Sequence, residues 1–263
     1  MGEIMEIRKF MKQNGEKPLD NIVSNGGFCG IFRTIACVGD SLSSGEFDTQ
    51  MNGVKDYCHD FDYSWGQFMA RDTGAKVYNF SRGGMTAKEY YESFAEENGF
   101  WDKGRRAQAY IIALGANDIT RALAGGPAMG ECSDIDKDND TFASCFARII
   151  KKYKEIEPRA KFFLVALPKG LRGDALSLKQ RKLLYGMAEK FDNCYVMDLY
   201  KYAPELDEEY RDNFFIAGHR TAVGYRLSAL MAESYIDYII RHNHKDFKNV
   251  QFIGTEYCNE NIE

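Results

Sequence analysis

The 263-residue chain is 44% hydrophobic and 28% charged, with a formal net charge of -5. That balance suits a globular protein and offers no basic footprint for nucleic acid. No run of apolar residues is long enough to span a membrane, residues 1–19 lack the apolar core of a secretory signal, and seven Cys without a Cys-x-x-Cys pair read as reduced thiols in a cytoplasmic chain.

Residues 1–30 form a lead-in: a short amphipathic helix carrying Ile4, Ile7, Phe10 and Met11, then a Gly-rich loop. An extended stretch at 28–33 leads to the first core strand, 34–38. That strand breaks at Gly39-Asp40-Ser41-Leu42, and Gly45 follows. Residues 43–62 show no clear periodicity and read as a long connection at the functional edge. A helix is predicted over 63–71 with Ser64 near its N-cap and Gly74 as its stop. A second strand spans 75–80, a turn follows at 81–86, and Thr86 caps a helix over 87–97.

The apolar run 109–114 is a third strand, closed by Gly115-Ala116-Asn117-Asp118. Residues 119–140 read as a Gly- and Asp-rich loop. Helical spacing of Phe142, Phe146, Ile149, Ile150 and Tyr153 predicts a helix over 142–156. A strand over 162–167, a helix over 176–191, a strand over 194–199 and a helix over 221–242 complete the alternation. The tail 246–263 packs Val250, Phe252 and Ile253. Strands alternating with helices predict a parallel sheet covered on both faces, in one domain over 1–263.

In such a sheet, Ser41, Gly84 and Asn117 follow three strands and open on one edge, and His219 lies before the last helix. Ser becomes a nucleophile when a base takes its proton, and His suits that task. A tetrahedral oxyanion needs preorganised donors. The N–H groups of Ser41 and Gly84 and the amide of Asn117 are the candidates. Taken singly, each has a plainer reading: Gly84 in a turn, Asn117 as a cap, His219 on a surface loop. The argument lies in their order along successive strand ends.

These blocks resemble the SGNH hydrolases, also called GDSL esterases and lipases. The first block is Gly39-Asp40-Ser41-Leu42-Ser43-Ser44-Gly45 and the second is similar to residues 77–86. The third is Gly115-Ala116-Asn117-Asp118 and the last is His219 followed by Gly224-Tyr225. The resemblance implies a flavodoxin-like, three-layer α/β/α fold with a five-stranded parallel sheet. It implies ester hydrolysis through an acyl-enzyme; the expected substrate is a small-molecule or carbohydrate ester, and no cofactor or metal is expected. It gives Ser41 as nucleophile, His219 as base, and Ser41, Gly84 and Asn117 as the oxyanion hole.

One position departs from the pattern: the Asp expected three residues before the His is Ile216. The Ile216 backbone carbonyl, or the Asp212 carboxylate four residues earlier, is the candidate to orient His219. The missing Asp also favours a second reading, a catalytically weakened ligand-binding domain that keeps the cleft. Other groupings carry less. Asp134, Asp136, Asp138 and Asp140 alternate like a calcium loop but have Asn139 and Cys145 where Gly and Glu are required. His242 and His244 suit a helix end rather than a metal. His59 is a candidate for the rim of the site.

Overall fold

The apolar residues of each long strand divide strictly by parity. Ala36 and Val38 pack with one group of buried side chains, Ile35 and Cys37 with the other. Tyr110 and Ile112 part from Ala109 and Ile111 in the same way. Successive side chains of a strand point to opposite faces, so a strand apolar at every position must be covered twice. The computed structural model, which describes residues 15–257, shows both covers. Helices Phe142–Ile156 and Asp174–Lys190 lie on the Val38 face. Helices Trp65–Thr73 and Ala222–His242 lie on the Ile35 face, with Phe247, Val250 and Ile253 of the tail. The predicted N-terminal helix lies outside the described residues.

The strands are β1 Thr34–Gly39, β2 Glu46–Met51, β3 Val54–His59, β4 Lys76–Ser81, β5 Ala109–Ala113, β6 Lys161–Ala166, β7 Cys194–Asp198, β8 Phe215–Ile216 and β9 His219–Arg220. Five of them form a parallel sheet in the order β4-β1-β5-β6-β7. This is the predicted three-layer α/β/α architecture. The register sets the candidate functional edge. Gly39 pairs with Ser81 on one side and Ala113 on the other, so three strands end level. The turns that follow them carry Ser41, Gly84 and Asn117.

Ser and Thr side chains start four of the helices. Thr141 caps Phe142–Ile156 by accepting from the Ser144 N–H, and Thr221 caps Ala222–His242 by accepting from Gly224. Ser64 and Thr86 do the same for Gln67 and Glu89. The helix after Thr86 is α-helical at Ala87–Glu89, widens to a π-turn at Tyr90–Phe94, and recovers at Ala95–Glu97.

Four segments differ from the sequence reading. Residues 28–33 are not extended: Gly27–Ile31 is a 3-10 turn. Asn117 stands in the first turn of a helix, Ala116–Leu123, rather than in a loop. Short helices at Leu199–Tyr202 and Glu208–Phe214 fill the connection before His219. The stretch 43–62 holds a β-hairpin, β2–β3, in place of a structureless connection. Its turn is Asn52-Gly53, both at positive φ (52° and 79°), the two-residue turn whose twist matches paired strands.

The Asp-rich loop is tied to cations. Asp134 pairs with Lys137, Asp136 with Lys190, Asp138 with Arg148 and Asp140 with Lys88. Water and salt screen pairs at the surface, so each adds little to stability. Replacing Asp134 and Asp136 by Ala should therefore leave the chain folded. Adding calcium should leave the melting temperature of the wild type unchanged; a calcium-dependent rise of several degrees would mark a metal loop.

Candidate active site

Ser41 is the first residue of a single helical turn, Ser41–Ser44, at the end of β1. Asp40 caps that turn, accepting from the Leu42 N–H at 3.0 Å. The side chain of Ser41 is half-buried, at the lip of the edge. Gly84 follows β4 at φ +73°. A Cβ there would meet nothing within 4 Å, so the left-handed backbone, not lack of room, calls for glycine. Asn117 turns its amide inward, donating to Asp40 Oδ2 at 3.3 Å and to the Met85 carbonyl at 3.2 Å. Both bonds are long and would yield to a stronger acceptor.

Two buried carboxyls stand close to this site, Asp40 on the Asn117 amide and Asp118 on the Ala87 N–H. Burial pushes Asp40 up to about 6, against the Leu42 N–H and the guanidinium groups of Arg172 and Arg220. Burial pushes Asp118 up to about 7, against a hydrogen bond from the Ala87 N–H, and the neighbouring Asp40 charge adds to the rise. A carboxyl raised in the folded chain binds its proton more tightly there than in the unfolded chain. Stability on its account is full below pH about 4 and falls as pH rises through the raised value. Asp118→Asn should flatten the fall in unfolding free energy between pH 4 and 7, by on the order of 1.4 kcal/mol per unit of removed shift. Urea unfolding at the two pH values reads it; an unchanged slope would remove Asp118 from the cause.

His219 belongs to β9, the second arm of a two-residue hairpin with β8. Its Nδ1 lies 2.8 Å from Asp48 Oδ2. The same oxygen accepts from the N–H of Gly218 at 2.9 Å and of His219 at 3.0 Å. One carboxylate oxygen thus holds both the ring and the turn that carries it. Lys55 Nζ stands 2.9 Å from the other oxygen. Burial alone would raise the Asp48 carboxyl, but the bonds from Lys55, His219 and Gly218 outweigh it and hold the group at about 2. The Tyr57 ring stands nearly perpendicular to the imidazole, centroids 5.6 Å apart.

Neither sequence candidate for orienting His219 fills that place. Ile216 sits across the β8–β9 hairpin as the pairing partner of His219, with its side chain exposed. Asp212 is exposed on the helix Glu208–Phe214 among Asp207, Glu208, Glu209 and Asn213. The carboxylate at Nδ1 comes instead from Asp48, 171 residues away in sequence. A signal for it was present. Glu46 and Asp48 are two residues apart in a strand that Asn52-Gly53 turns back on itself, so both carboxylates share one face.

The second carboxylate of that face also reaches the ring. Glu46 Oε1 is 3.2 Å from His219 Nε2, and Glu46 Oε2 is 3.6 Å from His59 Nδ1. The Tyr225 hydroxyl donates to the Glu46 carbonyl at 2.7 Å and lies 3.2 Å from the Ser41 carbonyl. It ties the serine turn to the strand that carries both carboxylates. Elsewhere, His242 stacks on Tyr238 in the last helical turn and bonds its carbonyl through Nδ1 at 2.8 Å.

The sheet order, its two helical covers and the level strand ends place the chain among three-layer α/β/α folds. Its sequence matches the GDSL-like Lipase/Acylhydrolase family over residues 35–230. The chain belongs to that family, and its activity is the hydrolysis of esters. Solved structures share the fold. The psychrotrophic esterase EstA from Pseudoalteromonas sp. is 17% identical, with a TM-score of 0.51 over 80% of this chain and 99% of that one. A family two carbohydrate esterase from Clostridium thermocellum, in complex with cellohexaose, is 16% identical, with a TM-score of 0.58 over 81% of this chain and 65% of that one. At these identities the likeness is one of fold. No curated protein matches the sequence.

Proposed function

We propose that the chain hydrolyses small acyl esters, O-acetyl groups on carbohydrate first among them, through an acyl-enzyme on Ser41. The observation that carries this reading is the bond between His219 Nδ1 and Asp48 at the edge where β1, β4 and β5 end level. Nδ1–H donates to Asp48, which leaves Nε2 as the basic atom of the ring. Nε2 takes the proton of the Ser41 hydroxyl as Oγ attacks the ester carbonyl. The oxyanion that forms accepts from the N–H groups of Ser41 and Gly84 and from the Asn117 amide. Nε2 then gives its proton to the departing alcohol oxygen. Water repeats the cycle on the acyl-enzyme and releases the acid. Asp48 keeps its charge throughout and stabilises the imidazolium.

The substrate class rests on the shared fold of the carbohydrate esterase and on the polar side chains Asp40, Glu46, Asp48 and Asn117 gathered around the edge. A panel of acetylated sugars, short-chain aliphatic esters and acyl thioesters tests it. The expected order of kcat/KM puts acetyl esters of sugars first. A preference for long acyl chains or thioesters would overturn the carbohydrate reading and leave the hydrolase. The weakened ligand-binding domain was favoured by the missing Asp before His219, and Asp48 takes that support away.

Asn117→Ala should lower kcat by about 10²–10³-fold, the usual cost of one oxyanion donor. KM should move little, since the donor acts in the transition state. A large rise in KM at unchanged kcat would make Asn117 a substrate-binding group instead.

A further inference from the structure

We propose that Glu46 is a specificity-determining residue, which closes the Nε2 face of His219 until a hydroxyl or a cationic nitrogen on the alcohol part of the substrate draws its carboxylate away. The inference rests on the hydrolase reading above. Nε2 must receive the proton of Ser41 and pass it to the leaving oxygen, and both transfers use the same direction from the ring. Glu46 Oε1 stands 3.2 Å from Nε2, close enough to occupy the space beside that nitrogen. The serine hydroxyl and the leaving oxygen must share that space, so the carboxylate must give way in each turnover.

The carboxylate is held for this task. Its side chain is 11% exposed, so it gives up an ionic partner readily only for another donor. Its strand is anchored by Tyr225 and by the pairing of Glu46 with His59. Its outer oxygen lies against Gly83, where a Cβ would come within 2.1 Å of Oε2. The absence of a side chain at 83 is therefore what admits the carboxylate to the edge between β1 and β4. That position is next to the leaving oxygen, because the leaving oxygen must reach Nε2. An alcohol part bearing a donor or a positive charge satisfies Glu46 and frees His219; one without either leaves the latch shut.

The test compares kcat/KM for three acetyl esters: p-nitrophenyl acetate, whose alcohol part has no donor, glycerol monoacetate, which brings hydroxyls, and acetylcholine, which brings a cation. Glu46→Gln should raise the value for p-nitrophenyl acetate at least threefold. It should lower the value at least tenfold for whichever of the other two the wild type prefers, and that preference separates hydroxyl from cation. The same factor on all three esters overturns the inference, as does a loss on p-nitrophenyl acetate equal to that of His219→Ala. Gly83→Ala gives an independent reading. It should change the ester preference in the wild type and not in a Glu46→Ala background, because the three atoms nearest the added methyl group all belong to the Glu46 carboxylate; equal effects in both backgrounds also overturn it. Fluorophosphonate labelling of Ser41 keeps the two levels apart. A wild-type chain that is unlabelled and hydrolyses none of the esters overturns the serine-hydrolase reading and this inference with it.

Discussion

Asp48→Asn should lower kcat by about 10³–10⁴-fold, close to the loss from His219→Ala, because members of such a unit act together. The amide keeps the shape of the side chain but not its charge. It also offers an N–H₂ group where three donors now converge on one oxygen. The imidazole then loses both its fixed tautomer and the counter-charge for the imidazolium. KM should change little. Asp212→Asn serves as the control and should cost less than about tenfold, since that carboxylate is exposed on the helix Glu208–Phe214. The reverse pattern, a large loss at 212 and a small one at 48, would remove Asp48 from the mechanism.

The carboxyl of Asp48 is held at about 2, which sets its pH window. A depressed carboxyl contributes stability that is present above its unfolded value, near 4, and is lost as pH falls through the folded one. Asp48 therefore keeps its charge throughout pH 4–9. A fall in activity on acidification above pH 4 must come from other groups of the site, and should persist in Asp48→Asn at its lower level.

Ser41→Ala should abolish turnover, a loss of about 10⁶-fold or whatever the assay can resolve, on the scale known for nucleophile removal in a serine hydrolase. The hydroxyl is half-buried at the first position of its helical turn. Alanine is a good helix residue there, so the melting temperature should stay within about two degrees of wild type. A fluorophosphonate should label the wild type at Ser41 and leave the variant unlabelled. Labelling at another residue, or surviving activity, would move the nucleophile elsewhere.

The features legible in the sequence are those that local chemistry writes directly. Four of the five core strands are apolar at nearly every position, and each strand is followed by a helical pattern, two of them with a cap legible in the sequence, Ser64 and Thr86. That alternation leaves a parallel sheet as the arrangement that buries both strand faces. Parallel strands open their following turns on a single edge, so the company of Ser41, Gly84 and Asn117 also followed from order alone. The hairpin at 46–59 was missed because β3 is exposed along its length and gives no apolar alternation to read. Asn52-Gly53 was the one strong mark.

The partner of His219 could not come from order. The sequence shows Ile216 where a carboxylate is expected and offers Asp212 nearby, and both are local guesses. Only the tertiary structure lays β2 beside the β8–β9 hairpin and brings Asp48 to Nδ1 and Glu46 to Nε2. Residue types and strand order by themselves determined the sheet, its functional edge and the serine on it. The hydrogen bonds around His219 were decided in three dimensions. A carboxylate binds an imidazole by distance and direction, and a separation of 171 residues along the chain carries no information about either.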